Sequence, residues 1–117
     1  MIVNPKLAES QCYGAISMSL STALTEHRIM DPQTGRMVNA DMEFYKLTGI
    51  SDIGEIVVHL DIRPEHDQRG VIGLGEPPAV GVQGAVSNAV ANAIGVRVPW
   101  VPVTPDRVLA ALEGRNA

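Results

Sequence analysis

Cysteine occurs once in the 117 residues, at Cys12. A single thiol excludes an intrachain disulfide, a cysteine-only iron-sulfur site and a four-cysteine zinc site within this polypeptide. Aromatic side chains are nearly as scarce. They make up 3% of a chain that is 45% hydrophobic, so a core has to be assembled from Val, Ala, Ile, Leu and Met. Positive charge is thin as well, with nine Lys and Arg against thirteen Asp and Glu and a net charge of -4. A surface that tracks phosphates needs clustered cations, and these are scattered, so no nucleic-acid partner is expected. The one charge-free run, Pro77 to Val96, is broken by Gly81, Gln83, Gly84, Ser87, Asn88 and Asn92, which argues against a membrane span. Met1 to Lys6 lack the basic segment, apolar run and small-residue cleavage site of a secretory signal, so a cytoplasmic location is expected.

What the chain does have is concentrated in Gly73-Leu74-Gly75-Glu76-Pro77-Pro78. The two glycines allow backbone conformations closed to other residues or a close approach to a ligand, and the two prolines limit where Glu76 can point. Glu76 borders the charge-free run, which reads as buried. Desolvation there would bring its pKa toward the range of a general base. The same residues also fit a loop that simply starts a helix at Glu-Pro. Gln11, near the start of an earlier helix, carries an amide that could satisfy either a ligand or a loop backbone.

The length suits one domain or part of one, residues 1–117. Leu7 to Leu24 is predicted helical, with Gly14, Ala15 and several serines giving a small-residue packing face. Glu26 to Met30 and Arg36 to Val38, joined by Asp31-Pro32-Gln33-Thr34-Gly35, predict a hairpin, and Ile56 to Ile62 is the clearest strand. Asn39 to Gly54 reads as a crossing loop and Arg63 to Gly70 as a solvated loop. Gly81 to Ile94 predicts a helix apolar on most of its circumference, which needs neighbours on nearly every side, with Gly95 as its C-terminal cap. Thr104 and Pro105 open a last helix. The expected class is α+β, helices packed with a small antiparallel sheet. One strand, one hairpin and an apolar helix do not close a two-layer domain, so the chain reads as part of something larger. His27, His59 and His66 lie far apart in sequence and read as structural or surface residues, and no metal ligands are assigned.

Taken in order, Asn4-Pro5, Gln11 with Gly14-Ala15, the Asp31 to Asn39 turn, Asp52 to Val58, Gly73-Leu74-Gly75-Glu76, Asn88-Ala89-Val90, Gly95-Val96-Arg97 and Pro102 to Leu109 form one spaced pattern. In it the chain resembles the C-terminal portion of the molybdenum-binding (molybdopterin) subunit of the xanthine dehydrogenase and aldehyde oxidase family of molybdenum hydroxylases. The resemblance implies that Glu76 is the active-site base in hydroxylation of an aldehyde or N-heterocycle. It also implies that Gln11 contacts the pterin cofactor, that Gly14 lets backbone pass close, and that Gly73 and Gly75 belong to the cofactor-side motif. The molybdopterin-type molybdenum cofactor would be shared with a larger molybdopterin-binding subunit. Iron-sulfur centres and, in many members, flavin would sit in partner chains. Three positions depart from the family pattern: Ile72 where lysine is common, Tyr13 where glutamate is frequent, and Met18-Ser19 where Gln-Gly is usual. The chain is expected to be inactive alone, as a small subunit or fragment. The alternative is a truncated, inactive fragment that self-associates to cover its apolar helix.

Overall fold

The computed structural model describes residues 1–114. Asn4 sets the first helix. Its backbone is extended (φ -138°), its side-chain oxygen accepts from the Leu7 amide at 3.1 Å, and Pro5 supplies a preset φ at the first helical position. Helix α1 then runs Pro5–Leu24. Its hydroxyls are satisfied internally: Ser17 donates to the Tyr13 carbonyl at 2.7 Å, Thr22 to Ser19 at 3.0 Å and Thr25 to Ser21 at 3.1 Å. Cys12, Ala15, Ser19 and Ala23 are buried and recur at helical spacing, which makes one stripe of small side chains.

After α1 the chain passes through a 3-10 turn at Ile50–Asp52, a single helical turn α2 at Pro64–Asp67, a second short turn α3 at Pro77–Val80, and helices α4 (Val82–Ile94) and α5 (Pro105–Leu112). Both α3 and α4 pack on α1, and they touch each other. Gly95 closes α4 in the left-handed conformation at φ 77°, its amide donating to the Ala91 carbonyl at 2.9 Å. The segment that follows returns to α1, where the Val103 amide donates to the Ala23 carbonyl at 2.7 Å and Val98 and Val103 are buried. Arg107 of α5 fixes the same bend by donating to the Pro102 carbonyl at 2.8 Å.

The expected antiparallel sheet is absent among the described residues, and the fold there is helical, not α+β. The hairpin is reduced to one isolated antiparallel bridge, Met30 with Met37, flanked by the Asp31 amide to Arg36 carbonyl and Val38 amide to Ile29 carbonyl bonds, both 2.8 Å. Two arms this short gain too little from pairing without a third strand. Asn39 does the holding instead. Buried, it donates to the His27 carbonyl at 2.6 Å and accepts from the Ile29 amide at 2.9 Å. Ile56 to Ile62 forms no ladder, and Val57 and Ile62 are exposed. Its alternating β-branched pattern fits a pleated surface, and no neighbouring strand is supplied. Arg63 to Gly70, expected as loop, contains α2 because Pro64 sits at its first position with Glu65 and Asp67 in the first turn. Asn39 to Gly54 is a crossing loop as expected. It is tied to α1 by the Thr48 amide donating to the Ser21 hydroxyl at 3.0 Å, and to the residues just after α1 by Tyr45 donating to Glu26 at 2.9 Å. The Glu26 carboxylate that accepts this bond raises the Tyr45 pKa above its ordinary value.

Burial is sparse. Among the described residues, Cys12, Ala15, Ala23, Val98 and Val103 form the apolar core, and none of the helices α2 to α5 has a buried residue. The radius of gyration is 18.1 Å, against about 13 Å for a compact domain of this length. The accessible surface is 8,700 Å², roughly 2,500 Å² more than a closed monomer of this mass exposes. No helix among the described residues is long and apolar enough to cross a membrane.

Two outcomes follow for the hairpin. Asn39→Leu strands the His27 carbonyl and the Ile29 amide, and should destabilise this region by about 1–2 kcal/mol; hydrogen exchange at the Ile29 amide reads the loss directly. Asp31 is held below its ordinary pKa of 3.8, first by the Thr34 hydroxyl at 2.5 Å and then by the Gln33 amide at 3.0 Å. A lowered folded-state pKa means this stabilisation is complete above 3.8 and is lost as pH falls through the folded value. Amide shifts of Gln33 followed by NMR below pH 4 should report that loss, and a pH-invariant turn would refute it.

Candidate functional site

The glycine-rich loop is placed by the N-terminal half of α1 and the start of α3. Gly75 adopts φ 61°, in the left-handed region that L side chains avoid, and Glu76 follows as the N-cap of α3 with φ -119° and ψ 30°. Pro77 and Pro78 open the helical turn, and the Glu76 carbonyl accepts from the Ala79 amide at 3.0 Å. A carboxylate is thereby fixed to a helix start by the stiffest residues in the chain.

Gln11 reaches this loop from α1. Its Nε2 donates to the carbonyl oxygen of Gly75 at 2.9 Å, across 64 residues of sequence. Beside that contact lies an open cleft of about 860 Å³, lined by the start of α1 (Asn4, Leu7, Gln11), by Leu60 to Ile62 and by Arg69 to Gly75. Gln11, Gly73 and Gly75 are therefore brought together at one wall, with Glu76 next in the chain. Gly14 is one helical turn beyond Gln11 and does not line the cleft. A Cβ built at Gly14 or at Gly73 meets nothing within 4 Å. The close approach that the sequence suggested for Gly14 is thus not made by any described part of this chain.

Burial of Glu76 is not supplied either. The charge-free run forms α3 and α4, which cover α1 on one side and leave Glu76 exposed. Sequence reading treated an apolar segment as a buried one, but burial needs an opposite wall, and α4 finds only α1 and α3. His66 and Arg69, which the sequence placed in a solvated loop, and Asp61, which it placed in a strand, border the cleft. No local pattern marked them, because the chain path through α2 brings them there. Among the described residues no three His, Cys, Asp or Glu side chains come together as a metal site, and Cys12 is a buried free thiol.

Comparison with known proteins decides the family. Residues 1–54 match the molybdopterin cofactor-binding domain family. Over 113 residues, 95% of this chain, it is 39% identical to the aldehyde oxidoreductase molybdenum-binding subunit PaoC of Escherichia coli K12. The chain belongs to the xanthine dehydrogenase and aldehyde oxidase family. Its resemblance is to the molybdenum-binding subunit: the putative xanthine dehydrogenase molybdenum-binding subunit XdhA of Escherichia coli K12 is 35% identical over 92% of the chain. The crystal structure of quinoline 2-oxidoreductase from Pseudomonas putida 86 superposes on 97% of the chain with a TM-score of 0.82 at 27% identity. In each case the chain spans only about one-seventh of the relative, 15%, 14% and 15% respectively. The quinoline 2-oxidoreductase crystal structure thus contains a helical piece of this shape.

The arrangement fits a cofactor held largely by other parts of a molybdopterin-binding domain. Gln11 is a neutral amide with donor and acceptor capacity beyond its Gly75 bond, as a pterin edge requires, and the Gly14 and Gly73 positions stay free of side-chain bulk. The glycines separate the intrachain role from that one. Gly14→Ala adds a better helix former into open space and should stabilise the chain by about 0.5–1 kcal/mol. Gly75→Ala forces a Cβ into the left-handed region and should destabilise it by about 1–2 kcal/mol. Urea titration of both variants tests the pair of opposite signs.

Proposed function

We propose that this chain completes the active site of a molybdenum hydroxylase, with Glu76 as the base in hydroxylation of an aldehyde or N-heterocycle. The observation that carries the reading is the meeting of Gln11 with the Gly73 to Glu76 loop at one cleft wall. Two segments that are far apart in sequence, each marked by chemistry-bearing residues, meet there at the Gly75 carbonyl, one residue before a carboxylate set at a helix start. The molybdenum cofactor, when bound, supplies the two-electron redox chemistry of the reaction. This chain's contribution is local: the Glu76 carboxylate takes the proton released as oxygen is transferred to the substrate carbon, Gln11 offers amide contacts to the pterin, and Gly14 and Gly73 keep the approach open. Other walls close around Glu76 and exclude water, which strengthens its proton transfer.

Those walls come from outside this stretch. The surface surplus of roughly 2,500 Å² is of the size that obligate interfaces bury. The relatives are named as molybdenum-binding subunits, which accords with iron-sulfur and flavin centres on partner chains that carry electrons away. A self-associating inactive fragment would cover the same surface with a second copy.

In the assembled enzyme, Glu76→Gln should lower turnover by at least about 10²-fold with molybdenum content unchanged; turnover equal to the parent removes Glu76 from the mechanism. Affinity purification from native extract should bring down a larger molybdopterin-binding polypeptide with stoichiometric molybdenum. A metal-free homo-oligomer would favour the self-associating fragment.

A further inference from the structure

We infer that Gln11 is a positioning residue for Glu76, acting through the Gly75 carbonyl in addition to any contact it makes with the cofactor. The inference rests on the reading of Glu76 as the base. The contact is specific: Gln11 Nε2 donates to the oxygen of the peptide unit that joins Gly75 to Glu76, at 2.9 Å. That peptide unit is planar, so its oxygen cannot turn without turning the Glu76 amide with it. Holding the oxygen fixes ψ of Gly75 and φ of Glu76 together, and φ of Glu76 sets the direction of its Cα–Cβ bond.

The loop needs such a hold. On one side of the peptide unit stands glycine, at φ 61°, which rotates at little steric cost. On the other side the chain is stiff, since Pro77 and Pro78 open α3 and the Ala79 amide grips the Glu76 carbonyl at 3.0 Å. A rotation of the Gly75-Glu76 peptide would therefore be absorbed by the glycine and would redirect the carboxylate. Gln11 blocks that rotation from a rigid base, the second turn of a 20-residue helix capped at Asn4. Its side chain carries two N–H donors and one acceptor, so one donor can hold Gly75 while the rest of the amide remains for a ligand in the cleft it lines. One exposed hydrogen bond adds little to stability. Its effect is on geometry, to which proton transfer is sensitive.

The test is a double-mutant cycle in the assembled enzyme, with Gln11→Met, which keeps the side-chain length and removes the donor, and Glu76→Gln. Gln11→Met should lower kcat about 10-fold with KM and molybdenum content unchanged, and hydrogen exchange across residues 73–80 should quicken. The double variant should be no slower than Glu76→Gln alone, because Gln11 acts through Glu76. Gln11→Glu regains a donor only when protonated, so its deficit relative to the parent should shrink as pH falls. Additive losses in the cycle, or loss of molybdenum with normal turnover per remaining metal, would overturn the inference and leave Gln11 a cofactor contact alone. Gln11→Met indistinguishable from the parent while Glu76→Gln is slow also overturns it and spares the base assignment. Full turnover in Glu76→Gln overturns the base assignment itself, and the inference with it.

Discussion

Close packing along the small-residue stripe of α1 is the contact on which the described chain depends. Cys12, Ala15, Ser19 and Ala23 present little bulk, so α3 and α4 can lie against α1 without large side chains interposed. The C-terminal segment uses the same helix, through the Val103 amide on the Ala23 carbonyl, and the crossing loop uses it through Thr48 on Ser21. Gln83 of α4 adds a bond to Thr22 at 3.0 Å. Removing α1 would take away the surface that α3, α4, the crossing loop and the C-terminal segment share.

Small side chains bury little apolar area, and that constraint shapes everything else. At about 25 cal/mol per Å² of apolar surface removed from water, alanines and serines contribute far less than leucines, so this stripe orients the helices more than it stabilises them. The large apolar residues, Leu7, Met18, Phe44, Ile50, Val80 and Trp100 among them, face outward. An apolar surface this extensive calls for covering walls. The candidate site obeys the same logic: Gln11, Gly73 and Gly75 form one wall of an open cleft, with Glu76 next in the chain and exposed. A carboxylate beside such a wall gains its chemical setting from what closes over it.

The parts of the fold governed by local chemistry were legible in the sequence. Gly95 announced the end of α4 and Thr104-Pro105 the start of α5, since caps and prolines act within a turn of where they stand, while α1, expected from Leu7, begins at Pro5 under its Asn4 cap. Of the residues the sequence marked, Gln11, Gly73 and Gly75 meet at one cleft wall, and Gly14 does not. Strand pairing was not legible. Ile56 to Ile62 carries a strand's alternation, but a ladder requires a second strand at about 4.8 Å, and no periodicity within a segment can say whether one is present.

The sequence by itself determined the C-terminal ends of α1 and α4, the start of α5, the backbone freedom at Gly75, the placement of Glu76 between glycines and prolines, and the kinship with molybdenum-binding subunits, because each depends on residues close together or on their order. The tertiary structure alone decided that Gln11 holds the Gly75 carbonyl, that His66 and Arg69 border the cleft while Gly14 does not, and that Glu76 stands exposed. Those are distances between segments separated by tens of residues, and they are set by how α1, α3 and α4 pack, which no local pattern encodes.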